Sequence, residues 1–231
     1  MSKNTHSHDN LHLPTGALTF AGLAIIFMVA WSLIQWPHMA ASIVTREAGG
    51  NHGASVVPRG VTAAAMPVVL LVLSVLLAAA PKLDTMLMGR ILSTPQQDSG
   101  RGRARVLGAL LVGLGILLGA SHVALVSMYT GTPFPIDRIV PVAAGVVLTI
   151  LGIYLPLARP STTHRSERME TFRAAQGPAY RIGGFALVLV GLGTIVTGLL
   201  LPWLSIFIAC GGVFIIFASI AIVSLIRTLR G

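Results

Sequence analysis

Six stretches of this chain are free of Asp, Glu, Lys and Arg, and inside them one side chain readily changes its protonation state, His122. An ionisable group in such a stretch marks a functional position by default, because hydrocarbon tolerates it only when it is turned inward and partnered. The chemistry open to it is proton binding or, with a neutral ring, a hydrogen bond to a neighbouring hydroxyl. Thr194, on a separate apolar stretch, lies at a comparable depth and is the hydroxyl expected opposite His122. His6, His8, Asp9 and His12 form an H-x-H-D-x-x-H pattern on the polar N-terminal tail. Imidazoles so spaced on a mobile tail can converge on a divalent metal, but a solvated tail is the expectation, and no metal or cofactor is assigned.

Nucleophilic chemistry is the other candidate, since Ser121 directly precedes His122 in the string Gly119-Ala120-Ser121-His122. The string invites comparison with the G-x-S-G nucleophile of intramembrane serine proteases of the rhomboid type. Here His stands in place of the last Gly, and adjacent positions on a helix point about 100° apart, so Ser121 and His122 are no preformed dyad. The last apolar stretch offers no histidine as general base. The chain has no H-E-x-x-H helix, no phosphate-cradling Gly-Lys loop and no acidic pair for metal-assisted transfer, so a non-enzyme is expected.

The elements that must position these residues follow from composition. Of 231 residues, 54% are hydrophobic and 10% charged, against about 25% charged in soluble domains. The apolar stretches are Gly16–Ile34, Val61–Ala80, Val106–Met128, Ile139–Ala158, Ile182–Leu201 and Trp203–Ile226. Each has about 20 residues, which at about 1.5 Å per residue crosses a hydrocarbon core of about 30 Å. The pattern predicts an all-α, polytopic membrane protein with six transmembrane helices in one bundle. Residues 1–15 and 227–231 form polar tails. The first stretch carries only Lys3 upstream and no clear small-residue cleavage site, so it reads as a retained span. The single cysteine, Cys210, falls mid-span and reads as a small buried hydrophobe.

A formal net charge of +9 would suit a nucleic-acid partner only if the basic residues shared one soluble face. They alternate by loop instead. Lys82, Arg90, Arg101, Arg103 and Arg105 follow the second stretch, Arg159, Arg165, Arg168, Arg173 and Arg181 follow the fourth, and the tails hold Lys3, Arg227 and Arg230. The intervening loops hold Arg46, Arg59 and Arg138. The positive-inside rule then puts both termini in the cytoplasm of a bacterial cytoplasmic membrane, and the basic loops meet anionic lipid headgroups. No nucleic acid is expected as a partner.

The outer segment Trp36–Gly60, punctuated by Gly and Pro, reads as irregular chain over the bundle's outer mouth. The inner loop Pro81–Arg105 contains STPQQDSGRGRAR, too polar to anchor, and is expected to be flexible. The second inner loop differs: Met169 and Phe172 share one side, Glu170 and Arg173 are spaced to pair, and Gly177-Pro178 closes a short interfacial helix over Ser166–Gln176. Inside the bundle, small residues should mark the seams, because apolar faces alone give helices no drive to associate in lipid. Gly115 and Gly119 lead on one face to His122, Val126 and Tyr129, while Gly184, Gly191 and Gly198 recur every seven residues. These two faces are the candidates for the tightest contact. The spans hold no carboxylate of the kind proton-coupled carriers use, although Pro67, Pro141 and Pro156 leave room for broken helices.

From Ile139 to Leu192 the chain resembles the SdpI family of bacterial membrane proteins. Gly152 and Pro156 match its Gly-x-x-x-Pro span end, Pro160 its following proline, and Arg181, Gly183 and Gly184 its closing R-x-G-G. Ser161 stands where the family has Asn, and Ala179-Tyr180 where it has Thr-His. The N-terminal half is similar in plan, with Met66-Pro67 early in the second span, the string Pro81-Lys82-Leu83-Asp84 at its end, and Pro58-Arg59-Gly60 closing the outer segment. The resemblance implies a protein that protects its producer from a secreted toxic peptide and, in some members, signals by holding a cytoplasmic regulator at the membrane. A small solute carrier, or a subunit of a membrane transport complex, is the alternative that the Gly-lined spans and His122 leave open.

Overall fold

A computed structural model describes residues 15–46, 53, 55–91, 100–157 and 167–230. Helices α1 (Thr15–Gln35), α2 (Arg59–Ile91), α3 (Gly100–Thr130), α4 (Ile136–Tyr154), α5 (Glu167–Leu200) and α6 (Pro202–Arg230) follow in chain order. Two strands, β1 (Ser42–Arg46) and β2 (Ser55–Pro58), intervene between α1 and α2. All six helices carry a stretch long and apolar enough to cross a membrane, at Thr15–His38, Arg59–Ala79, Ala104–Thr130, Ile136–Leu157, Pro178–Leu200 and Pro202–Val223. The chain is an all-α, multi-pass membrane protein, since a helix satisfies its own backbone groups where water is absent.

Local chemistry sets the helix ends. Gly131 takes φ +66° after Thr130, a left-handed position that costs a residue without Cβ little, and so stops α3. Pro202 opens α6, where its missing N–H would have had no partner in any case. Asp137 sits in the first turn of α4, where a carboxylate suits the positive end of the helix.

The helices form two groups of three. Helices α1, α2 and α3 pack pairwise, as do α4, α5 and α6, and α3 joins the groups by also packing on α4. The first group buries Ala17, Ala21, Met28, Leu70 and Leu111, and the second buries Ala179, Leu187, Ile216 and Ile220. Of the six spans α3 is the most enclosed and α6 the least.

Four expectations require correction. The segment after α1 is not irregular: β1 and β2 pair antiparallel, with Ile43 opposite Val57 and Val44 opposite Val56. Its β-branched Ile, Val and Thr residues suit a pleated ribbon, and the strands span residues that Gly and Pro punctuation alone marked as loop. Helix also extends into the first basic inner loop, to Ile91 and again from Gly100, because a spanning helix already formed adds residues cheaply. Gly177-Pro178 does not close a separate helix, since α5 runs unbroken from Glu167. Pro178 opens the apolar part of α5, where the carbonyl that loses its partner lies at the membrane boundary and water can satisfy it. Cys210 is exposed rather than buried, because α6 packs only one side. Helices α2 and α4 also run continuously through Pro67 and Pro141.

Candidate functional site

The site grows out of one face of α3. Gly115 lies where a Cβ would come within 3.0 Å of the Phe20 ring and 3.8 Å of Ala24, so the missing side chain lets α1 lie close. Two turns on, that closeness puts His122 against α1, fully buried, with Nε2 2.9 Å from the Ser32 hydroxyl and 2.9 Å from the Met28 carbonyl. A carbonyl only accepts, so this geometry assigns the proton to Nε2, with Ser32 Oγ sharing it as a second acceptor. The other ring nitrogen, Nδ1, is buried without a hydrogen-bond partner among the described residues, and so is the indole Nε1 of Trp31. One is a free acceptor and the other a free donor, on neighbouring helices of the same seam.

Beyond His122 the face continues to Val126 and Tyr129, both buried, which pack with Met39, Trp31 and Ile43. Tyr129 fastens three segments together. Its hydroxyl accepts from Thr62 on α2 at 2.7 Å and donates to the Val57 carbonyl on β2 at 2.9 Å, while its own carbonyl accepts the Ala40 N–H at 2.9 Å. Arg59, the first residue of α2, completes the clamp. Its guanidinium donates to the carbonyls of Trp36 at 3.2 Å and Met39 at 3.3 Å and stands 4.5 Å above the Trp36 ring, and its backbone N–H donates to Ala41 at 3.0 Å. The cation over the ring alone contributes about 0.5–1 kcal/mol at an exposed position. Ile43 thus faces the bundle, while Val44 and Val56 stand opposite one another and point away from it, each more than half exposed.

The remaining predicted residues lie elsewhere. Thr194 is buried on α5 but donates to the Val190 carbonyl of its own helix at 2.8 Å, so the expected pairing with His122 does not form. The reason is the packing: α3 meets α1 through this face, and α5 meets α4. The two Gly faces accordingly do not meet one another. Gly119 has open space around its missing side chain, while Gly184 and Gly191 lie against Gly152 and Gly145 of α4, and Gly198 against Pro141. Arg181 is exposed near the start of the apolar part of α5. Arg168 and Arg173 fall within the helical backbone of α5, and their side chains, like Arg165 and the tail cluster of His6, His8, Asp9 and His12, lie outside the described residues.

Sequence reasoning placed His122, Val126 and Tyr129 on one face but missed Ser32, Thr62 and Arg59, which complete the site. The signal was present in two of them: Ser32 and Thr62 are polar side chains in or at the edge of apolar spans. No family model, characterised protein or solved structure matches the chain.

Proposed function

We propose that this chain is an SdpI-like immunity or signalling protein, non-enzymatic, which meets a secreted toxic peptide at the clamped hairpin. In this reading it sits in a bacterial cytoplasmic membrane with both termini inside. The observation that carries the reading is the hairpin, held to the bundle by Tyr129 and Arg59 and presenting Val44 and Val56 away from it. A short ribbon that exposes a cross-strand pair of apolar side chains offers an extended peptide apolar contact beside a strand. The placement of Lys and Arg supports the hairpin end as the outer end, because only Arg46, Arg59 and Arg138 lie on that side. The opposite end, with Arg165, Arg168, Arg173 and Arg181, suits anionic headgroups and a cytoplasmic regulator.

A second reading, a small solute carrier or transport-complex subunit, is favoured by one observation, the unpaired Nδ1 of His122 inside the bundle. A single experiment separates the two. A strain lacking the gene is exposed to spent medium from its intact parent and complemented with variants. Under the immunity reading the strain dies, His122→Asn restores survival, and the double substitution Val44→Asp with Val56→Asp does not. Survival without the gene sinks that reading. Rescue by the hairpin variant but not by His122→Asn transfers the role to the bundle interior.

A further inference from the structure

Two buried nitrogens in the seam between α1 and α3 have no hydrogen-bond partner among the described residues, Nδ1 of His122 and the indole Nε1 of Trp31. With the His122 proton on Nε2, facing Met28 and Ser32, Nδ1 can only accept, whereas an indole N–H can only donate. The two residues lie at one depth. Gly115 faces Phe20 and Ala24, and further along His122 faces Met28 and Ser32, so α1 and α3 run in the same direction. The spans end at His38 and Thr130, which puts Trp31 and His122 each roughly 10–12 Å inside the outer end. The Trp31 ring packs with Val126, one helical turn beyond His122, and Phe27 stacks on that ring from a position more than half exposed. Phe27, rather than the indole N–H, therefore meets the lipid.

We infer that this seam binds one water molecule, which donates to His122 Nδ1 and accepts from Trp31 Nε1–H. The hydroxyls around the pair are engaged elsewhere: Ser32 with His122 Nε2, Ser127 with the Val123 carbonyl, and Thr62 and Tyr129 with one another and with Val57. A lipid tail offers neither donor nor acceptor, and a polar group left alone in hydrocarbon is strongly disfavoured. A ligand that answers both nitrogens must join a donor and an acceptor on very few atoms. One helical turn rises about 5.4 Å, and two hydrogen bonds of about 2.9 Å meeting at one oxygen cover that step. Water carries both functions on a single atom, and buried polar groups of this kind are where proteins hold internal water. Its donation to Nδ1 also keeps the proton on Nε2, so the water and the bond from His122 to the Met28 carbonyl support one another.

The test is solid-state NMR on the full chain in lipid bilayers, with 15N-labelled His and Trp, reading magnetisation that starts on water. The expected result is transfer to both Trp31 Nε1 and His122 Nδ1, faster than to the buried backbone amide of Leu70, with Nδ1 at the shift of a hydrogen-bonded acceptor. Trp31→Phe keeps a ring against Val126 and deletes the N–H, and should cut the transfer to Nδ1. A bare-acceptor shift with no transfer overturns the proposal, and so does transfer to one nitrogen alone. A hydrogen-bonded shift without transfer assigns a direct bond between the two side chains and overturns it equally. Undiminished transfer to Nδ1 in Trp31→Phe removes the bridge. The measurement on the unaltered protein decides the question even if the variant fails to fold.

Discussion

The two halves of the bundle solve the same problem with different chemistry. Lipid chains are as apolar as leucine, so neither half can rely on the hydrophobic effect to bring helices together. In the first half α1, α2 and α3 are joined across their seams by polar side chains: His122 to Ser32 and Met28, and Tyr129 to Thr62. In the second half α4 and α5 are joined by the absence of side chains. Gly145 faces Gly191 and Gly152 faces Gly184, so that backbone lies on backbone in an antiparallel pair with a seven-residue repeat on both strands of the seam. Here the hydroxyls of Thr149 and Thr194 bond within their own helices. Polar joints can be loosened one at a time, whereas a glycine seam has no slack to give, and the adjustable half is the one that carries the hairpin.

The largest effect should come from the glycine seam. A Cβ on Gly191 would stand 2.6 Å from the Thr149 nitrogen and 2.7 Å from the Gly145 carbonyl oxygen. Neither neighbour is a side chain that can rotate away, so Gly191→Ala must push α4 from α5. Overpacking of this kind costs about 1–3 kcal/mol, and a backbone neighbour puts it at the upper end. Thermal unfolding of the purified protein in detergent checks it. An unchanged midpoint would mean that the seam has room and that the contrast between the halves is not one of rigidity.

A smaller effect is expected at His122. Interhelical hydrogen bonds within membranes average about 0.6 kcal/mol in double-mutant cycles and reach about 1.7 kcal/mol. The cycle of His122→Ala and Ser32→Ala, read from the same unfolding midpoints, should return a coupling in that range and of favourable sign. Zero coupling would make the α1–α3 seam a matter of packing, like the other half, and would erase the comparison.

The outline of this fold was legible because lipid simplifies the code. Spans had to be about 20 apolar residues long, and Gly16–Ile34 and Trp203–Ile226 fall close to the helices observed. The α3 face from Gly115 to Tyr129 was legible for a similar reason, as 3.6-residue periodicity fixes which side chains share a side. Which helix that face meets is a different kind of fact. His122 was paired in expectation with Thr194 by depth, and depth holds for every helix at that level. The choice of Ser32 depends on α1 lying beside α3, which Gly115 permits but does not announce. The α4 side of the glycine seam could have been read, since Gly145 and Gly152 repeat the same seven-residue interval as Gly184 and Gly191. The strand pair was hidden because the Gly and Pro of this segment read as loop signals and outweighed the short β-branched runs at Ile43–Thr45 and Val56–Val57, and the clamp at Arg59 belongs to a residue that topology had already claimed as a loop charge.

The smallest effect has the opposite sign. Gly119 belongs to the same face as Gly115, and a small-residue motif treats the two alike. The structure separates them, since nothing lies within 4 Å of a Cβ on Gly119. Within a helix Gly is less favourable than Ala by roughly 0.5–1 kcal/mol, through the backbone freedom it loses on folding. With no neighbour to clash, Gly119→Ala should therefore stabilise the protein by up to about that amount, while Gly115→Ala, with the Phe20 ring 3.0 Å away, requires that ring to shift. Unfolding midpoints of the two variants measured side by side should diverge, with Gly119→Ala above the unaltered chain and above Gly115→Ala. A destabilised Gly119→Ala would show that a second surface, from lipid or another chain, presses on α3 at that point, and that the first half too keeps a glycine seam.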